Sequence, residues 1–439
     1  MKKKVSDKHI KGLVLELRPD DNQKLLLDKH LNNTRFIYNQ YVEEYLNCLK
    51  ENKVPNYKDY QELRTEYEFL EGLYSWTLQQ VLYKFKQTNS INRSKRSKGQ
   101  KVGLVKFKSK KSHSDYFYTQ NIKLSYNHDC KSKSYVKIPK IGLVNFKCKN
   151  IKSEFLNGKI KFGVVKRTKT GVYKISLLVE VNKVHEDRVS NNHIGLDFSL
   201  RDFFVDSFGA KAPEFSTKRS KMELLRQKID SINERISKMR NKSKKKCKIS
   251  VKTHRLTMKR NKLYERVHNV QVDYINKLSR DLCKHNELIV LEDLNLTEMS
   301  EHTSYKDSKT STKGGNHGKS IGLLQWSHFL KKLEENTEKF GCILVYVDKY
   351  YPSSQICSKC GQRHSEMKDV TNRTLKCKCG NIIDRDYNSA LNLLKFGETV
   401  VYNKSYQTLG KELSEYKAFK CLDFQDQKHL NYSQVFDCK

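Results

Sequence analysis

The chain has 439 residues, with 86 Lys and Arg against 49 Asp and Glu and a formal net charge of +37. That length supports two or three domains with separate cores rather than one small fold. The positive surplus is spread along the sequence, which excludes a neutral globule with a single basic tail. It points to a long polyanion such as a nucleic acid, whose backbone rewards dispersed cations through counterion release.

The first residues, MKKKVSDKHIKGLVLELRP, are basic but lack a sustained apolar core, so no secretory signal is expected. No later stretch approaches the length of a membrane span. Of the twelve cysteines, four fall within about two dozen residues. That distribution favours a reduced, cytoplasmic compartment and one metal site over a disulfide framework. Cys48, Cys130, Cys148, Cys247, Cys283, Cys342, Cys421 and Cys438 read as ordinary thiols.

In chain order, residues 11–17 (KGLVLEL) predict a strand, and Asp21 to about Lys50 predict a helix with an aromatic face around Phe36, Tyr38, Tyr41 and Tyr45. A second helical stretch follows near residues 58–88. Between Asn92 and Lys111 stand nine Lys or Arg residues and no acid, with Phe107 and Lys108 inside VKFKSKK. That run is either a solvated loop or a phosphate-contacting segment. From about 122 to 183 the pattern turns to strands, with YVKIPKIGLVNF, KIKFGVV and YKISLLVEV around the turn-like KRTKTG. Strand, helices, then strands predict an N-terminal small β-barrel, residues 1–190, with a helical insertion at about 20–120.

After the polar boundary Val189–Asn192, HIGLDF and DFFVDS predict a strand pair that opens a second domain. Met222, Leu225, Ile229, Ile232, Ile236 and Met239 recur at three- and four-residue steps, the seam of a helix packed on a partner. Leu263, Val267, Val270, Tyr274 and Leu278 supply the returning helix, so a hairpin spans 217–283. Its connection is very basic, with twelve Lys or Arg and no acid from Lys238 to Lys262, including Lys244, Lys245 and Lys246. Those cations suit a nucleic-acid backbone. Residues 299–320 are polar and glycine-rich, as in a mobile loop or lid. A helix around Trp326–Lys339 and the strand CILVYV follow, while the tail 398–439 carries no readable role.

Three carboxylates stand in telling settings: Asp197 in HIGLDFSL, Glu292 at the end of LIVLE, and Asp386 in DRDYNSALN. A carboxylate within or ending an apolar strand is costly unless paired or bound to metal. Strands ending in acids, beside a helix that supplies another, describe an RNase H-like arrangement around two divalent ions, Mg²⁺ or Mn²⁺. Such a site suits in-line hydrolysis of a phosphodiester, one ion serving the attacking water and the other the departing oxygen. Asp384 competes with Asp386 for the third position, although it could equally cap the helix that begins there.

Just upstream, Cys357-Ser-Lys-Cys360 and Cys377-Lys-Cys379 each present two sulfurs from a tight turn, the pattern of a tetrahedral Cys₄ zinc site. With all four sulfurs engaged, that zinc is structural and fixes the chain before Asp386. The second pair has one intervening residue where two are usual, so His364 stands as a reserve ligand.

YPSSQICSKCG (351–361), the second cysteine pair, DRDYNSALN (384–392), IVLEDLN (289–295) and GLDFSLRDF (195–203) together resemble the TnpB family, transposon-encoded nucleases ancestral to type V CRISPR effectors. LRPDDNQKLLLDKHLNNTRFIYN (17–39) and KIPKIG (137–142) are similar to that family too, so the resemblance covers about residues 11–395. It implies an α/β multidomain protein that cleaves DNA under the direction of a guide RNA in a split RuvC-type site, with Asp197, Glu292 and Asp386 as the catalytic acids. The organisation implied is a nuclease part at 191–350, a zinc ribbon at 351–382 and a last nuclease motif at 383–397. The N-terminal lobe would read a short flanking motif on double-stranded target DNA while RNA pairing reads the rest. Tyr38, Asn39, Gln79, Gln80 and Phe107 are its candidate base readers, since amides and aromatics read base edges or stack. A miniature type V effector using a CRISPR RNA is the nearest alternative; a cleavage-inactive repressor and a strand-transferring transposase are more distant ones.

Overall fold

The computed structural model describes residues 8–110, 115–127, 134–147, 150–182, 185–242, 250–294, 322–402 and 418–423. Lys244, Lys245, Lys246 and the glycine-rich stretch 299–320 lie outside the described residues. The chain divides into two units, Met1–Lys183 and Val184–Lys439, and both mix helices with sheet.

In the first unit, β1 (Lys8–Arg18), β2 (Tyr116–Thr119), β3 (Lys123–Ser125), β4 (Tyr135–Ile138), β5 (Gly142–Lys147), β6 (Lys159–Arg167) and β7 (Tyr173–Asn182) form one sheet, ordered β2-β6-β7-β1-β5-β4-β3. All its pairings are antiparallel. The two end strands, β2 and β3, are separated in the chain only by Gln120, Asn121 and Ile122. So short a link spans about 14 Å at most, and the sheet must curl to bring its ends that close. A curled sheet therefore stands where a barrel was expected; no pairing joins β2 to β3 among the described residues. Its apolar face collects Leu15, Leu17, Val144, Phe146, Ile175, Leu177 and Val179.

Helices α1 (Asp21–Lys50), α2 (Tyr60–Glu66) and α3 (Ser75–Ser97) fall between β1 and β2, and the single turn α4 (Ser153–Leu156) precedes β6. A reciprocal capping box of Asp20 with Gln23 starts α1. The expected second helical stretch is two helices, because a one-turn 3₁₀ segment, Glu68–Leu70, interrupts it. Ile37, Tyr41, Leu63, Leu78 and Phe85 pack the helices into a second, aromatic-rich core.

The second unit holds β8 (Asn192–Ser199), β9 (Phe203–Asp206), β10 (Asn286–Glu292), β11 (Ile343–Val347), β12 (Thr374–Lys376), β13 (Ile382–Asp384) and β14 (Ala418–Asp423), with α5 (Phe215–Lys242), α6 (Val251–His285), α7 (Trp326–Phe340) and α8 (Arg385–Tyr402). Five of the strands form a sheet ordered β14-β11-β10-β8-β9. β10 runs parallel to both β8 and β11, while β9 and β14 are antiparallel edges. The edge strand β14 comes from the tail that the sequence left unread.

Side chains alternate across this sheet with period two, as pleating requires. Ile194, Leu196, Ile289, Leu291, Leu344 and Tyr346 share one core with Met222, Ile229, Tyr274, Leu278, Phe329 and Leu333 of α5, α6 and α7. Leu288, Val290, Val345 and Val347 face the other way, against Leu393 and Phe396 of α8. Two glycines let α8 approach closely. A Cβ on Gly195 would lie 2.2 Å from Ala390 O, and one on Gly397 would lie 2.2 Å from Val290 Cγ2. Helix α8 thus lies directly on β8 and β10.

Candidate functional site

The alternation that builds the cores also aims the acids. Asp197 is two residues beyond Gly195, and Glu292 two beyond Val290, so both belong to the face covered by α8. Asp386 sits in the first turn of that helix. Parallel register sets Leu291 beside Leu196 and Glu292 beside Val347, so these acids gather at the carboxyl ends of neighbouring strands. Crevices at such ends are where open α/β sheets bind ligands.

Burial is the leading influence there, and like charge adds to it. Burial holds the Asp197 carboxyl well above its ordinary range although its side chain keeps a partial opening to solvent; a hydrogen bond from Ser389 opposes the shift, while Asp386 and Glu292 add to it. Burial, then Asp293 and Asp348, push Glu292 up to about 7. Asp386 is raised by burial and by Asp384, with Asp202 pushing the same way and Arg373 and Arg385 opposing. Asp197 therefore feels both of the other candidate acids.

Asp384 is a cap. Its Oδ1 accepts the N–H groups of Asp386 (2.9 Å) and Tyr387 (3.1 Å), satisfying the free amides at the start of α8. The residues the sequence did not single out are Asp202, Asp348 and Arg373. Asp202 lies on the β8–β9 turn, whose Leu200 and Arg201 carbonyls accept hydrogen bonds from Arg219. Asp348 follows Val347 directly and so ends β11 next to Glu292. Arg373 reaches Asp386 Oδ1 at 3.6 Å. Each is an ordinary charged loop residue in the sequence, and only tertiary packing brings it to the acids.

The four cysteines converge. Cys357 and Cys379 sulfurs are 3.7 Å apart and those of Cys360 and Cys377 are 3.4 Å apart, and all four lie within 4.8 Å of one another. A tetrahedron of sulfurs about 2.3 Å from a zinc ion has edges of about 3.8 Å, so the quartet fits a bound metal. Burial would raise the Cys357 thiol, but the Asn381 amide and the N–H groups of Cys360 and Lys359 outweigh it and bring it down to about 6, while burial and the neighbouring sulfurs hold Cys360 and Cys377 up. The short second pair is no obstacle, because Gly380 N closes a tight turn onto Cys377 O at 3.0 Å. His364 stays outside the quartet, with Nδ1 2.9 Å from Glu366 Oε1. Among the described residues this quartet is the one group of three or more such ligands drawn so close; the acids are spread more widely.

One face of α8 grips the segment that enters this module. Asn388 Nδ2 donates to Ile356 O (2.7 Å), Asn392 Nδ2 donates to Ser353 O (2.8 Å) and Ile356 O (2.7 Å), and Asn388 Oδ1 accepts from Ser358 N (2.9 Å). Lys395 Nζ donates to Ser358 O. Asn388 and Asn392 are almost wholly buried, where unmatched amides would be costly.

In the first unit, Tyr38, Gln80 and Lys108 line a small recess that opens to solvent, together with Arg35, Lys84 and Tyr118. Lys108 Nζ lies 4.0 Å from the Tyr38 ring centre and 4.5 Å from that of Tyr116. Both polar atoms of the Asn39 amide engage the Lys108 backbone, at 3.0 and 2.8 Å, so that side chain serves the fold. Gln79 is exposed and Phe107 is 55% exposed; neither lines the pocket.

Three family models match the chain in succession: "Helix-turn-helix domain" at residues 10–53, "Probable transposase" at 176–303, and "Cas12f1-like, TNB domain" at 326–393. A Streptomyces pristinaespiralis protein named "Putative RNA-guided DNA endonuclease" is 29% identical over 136 residues, 31% of each chain. TnpB-like protein L79 of Acanthamoeba polyphaga mimivirus is 29% identical over 139 residues, 31% of this chain and 24% of that one. These matches support a TnpB-family assignment. The chain's matches span about a third or less of those relatives' lengths. A cryo-EM structure of a Cas12f1–sgRNA–target DNA complex aligns with 88% of this chain and 99% of its own, at 13% identity and a TM-score of 0.47. Residues 10–53, despite the name of the matching model, are a strand followed by one 30-residue helix. No helix among the described residues is long and apolar enough to cross a membrane.

Proposed function

We propose that this chain is an RNA-guided DNA endonuclease of the TnpB type, cutting phosphodiesters in an RNase H-like, RuvC-type site in its second unit. The observation that carries the reading is that Asp197 and Glu292 lie on the sheet face covered by the helix that carries Asp386, and that both of the other acids raise the buried Asp197 carboxyl. Buried like charges of this kind fit a site for divalent cations, which would relieve the repulsion. Asp197, Glu292 and Asp386 would hold two Mg²⁺ or Mn²⁺ ions, which when bound supply charge neutralisation and an activated water. Arg373 would offset charge at Asp386, and Asp384 would hold the first turn of α8 in place. Zinc at Cys357, Cys360, Cys377 and Cys379 would be structural, since four sulfurs complete its coordination.

Guide RNA and double-stranded target DNA are the partners that suit a net charge of +37. The pocket of Tyr38, Gln80 and Lys108 supports a base-reading role for the first unit, because it offers an amide, aromatic faces and a cation in one recess. A second reading, a miniature type V effector, draws on the Cas12f1-like match over the cysteine module. Sequencing the RNA that copurifies separates the two, since repeat-derived spacers belong only to the second.

The purified protein with its RNA should cleave a matched duplex in Mg²⁺ and leave it intact in EDTA. Binding without cleavage would make it a repressor, and products joined to new DNA ends would make it a transposase.

A further inference from the structure

The hydrogen bond that the Asp197 carboxylate receives among the described residues comes from a hydroxyl. Ser389 Oγ donates to Asp197 Oδ1 at 2.8 Å and also lies 2.8 Å from Ser353 Oγ. Ser389 is 1% exposed and Ser353 6% exposed, so water is poorly placed to substitute for either contact. A hydroxyl carries one proton. If Ser389 gives its proton to the carboxylate, Ser353 must supply the proton of the second bond. The chain then runs in one direction, from Ser353 to Ser389 to Asp197. It fixes Oδ1 as the acceptor and leaves Oδ2 without a hydrogen bond from the described residues.

Ser353 is not an isolated partner. Its carbonyl is held by Asn392, and the residues that follow it, Ile356 and Ser358, are held by Asn388, Asn392 and Lys395 on their way through Cys357. The backbone that enters the cysteine quartet therefore carries the first hydroxyl of the chain that ends on Asp197. Gly195 makes this possible, since α8 could not bring Ser389 so near β8 over a side chain.

We propose that Ser353 and Ser389 are positioning residues, a hydroxyl relay through which the four-cysteine module sets the orientation of the Asp197 carboxylate. The proposal rests on the reading of Asp197 as a metal-holding acid. Without the relay the carboxylate is free to rotate, and ordering it becomes part of binding each cation. The loss then falls on the metal dependence of cleavage, not on folding or on target binding.

The test uses the full chain with its copurified RNA and a duplex matched to that RNA, with cleavage rates measured across a Mg²⁺ titration. Ser389→Ala, Ser353→Ala, the double variant and Asp197→Ala are compared, with melting temperature, zinc content and duplex binding recorded for each. Ser389→Ala should raise the Mg²⁺ concentration for half-maximal cleavage roughly five- to tenfold, with melting, zinc and binding unchanged. Ser353→Ala should shift it the same way by less, and the double variant should match Ser389→Ala alone, because both changes cut one chain. An unaltered Mg²⁺ response in Ser389→Ala, or additive effects in the double variant, would overturn the relay. If Ser389→Ala melts early or loses zinc, Ser353→Ala decides, since it leaves the α8–β8 contact untouched; an unaltered response there overturns the relay too. If Asp197→Ala itself still cleaves, the reading of the acid site fails, and the relay with it. If Asp197→Ala is dead while both serine variants behave as wild type, only the relay fails.

Discussion

In the pocket of the first unit, unlike partners meet: Arg35 lies 2.5 Å from Asp115, and the Lys108 ammonium sits over Tyr38 and Tyr116. At the acid site of the second unit, like meets like, and Asp197, Glu292 and Asp386 are all held above their ordinary range. The pocket can persist as built and offers a surface to read. The acid site is strained by burial of its carboxyls, to which their like charge adds, and cations would relieve both. On the proposed function the contrast separates recognition from chemistry, and each half can be broken alone.

The largest effect is expected at Asp197. Asp197→Ala should reduce cleavage on the order of 10³-fold or more, as losing a member of a catalytic set does, while duplex binding by gel shift stays near wild type. Loss of binding in that variant would erase the separation between the two regions. Next comes the cysteine module, where a bound metal would contribute folding free energy outright. Cys357→Ser should lower zinc content, melting temperature and cleavage together; a variant with normal melting and cleavage would make the module dispensable.

The third prediction concerns pH without metal. A Glu292 carboxyl raised to about 7 binds its proton more tightly in the folded chain than in the unfolded one. Its contribution to stability is therefore full below the ordinary Glu range and is lost as pH rises toward and through 7. In EDTA the melting temperature should fall between pH 5 and pH 8, Glu292→Gln should remove about 1–3 kcal/mol of that fall, and Mg²⁺ should restore stability to the wild type at pH 8. A flat metal-free profile would mean that the acids do not strain the fold.

Much of this contrast was legible in the sequence, and the reason is periodicity. The β8–β9 pair, the α5–α6 hairpin, α7 and β11 all follow from apolar spacing, and apolar strands interrupted by Asp197 or ended by Glu292 flagged themselves by their cost. The cysteine spacing announced the quartet, although not that one intervening residue suffices. What stayed hidden depends on partners far away in the chain. β14 is a strand because β11 offers it an edge. Asp202 and Arg373 matter because turns carry them to Asp386. Asn39, predicted to read bases, is tied to the Lys108 backbone by a contact 69 residues away. The helical stretch before residue 88 breaks in two because Glu68–Leu70 turns the chain.

Smaller effects are expected in the pocket. Tyr38→Ala or Gln80→Ala should weaken duplex binding by about 1–3 kcal/mol or relax preference for the flanking sequence, with the Mg²⁺ dependence of cleavage unchanged. A changed metal response in either variant would tie the two regions together. The smallest change is at the α8 cap, where Asp384→Ala should cost about 1 kcal/mol of stability, read by thermal melting, and should slow cleavage only through Asp386.

The most direct measurement is cleavage of a library in which the sequence beside a matched target is randomised, using the wild-type protein with its own RNA in Mg²⁺. The cut molecules should all carry the RNA-matched sequence and share one short flanking motif, and replacing the RNA spacer should redirect cutting to a new target. Cleavage that ignores the RNA, or a library left whole while the protein remains bound to it, would contradict an RNA-guided nuclease.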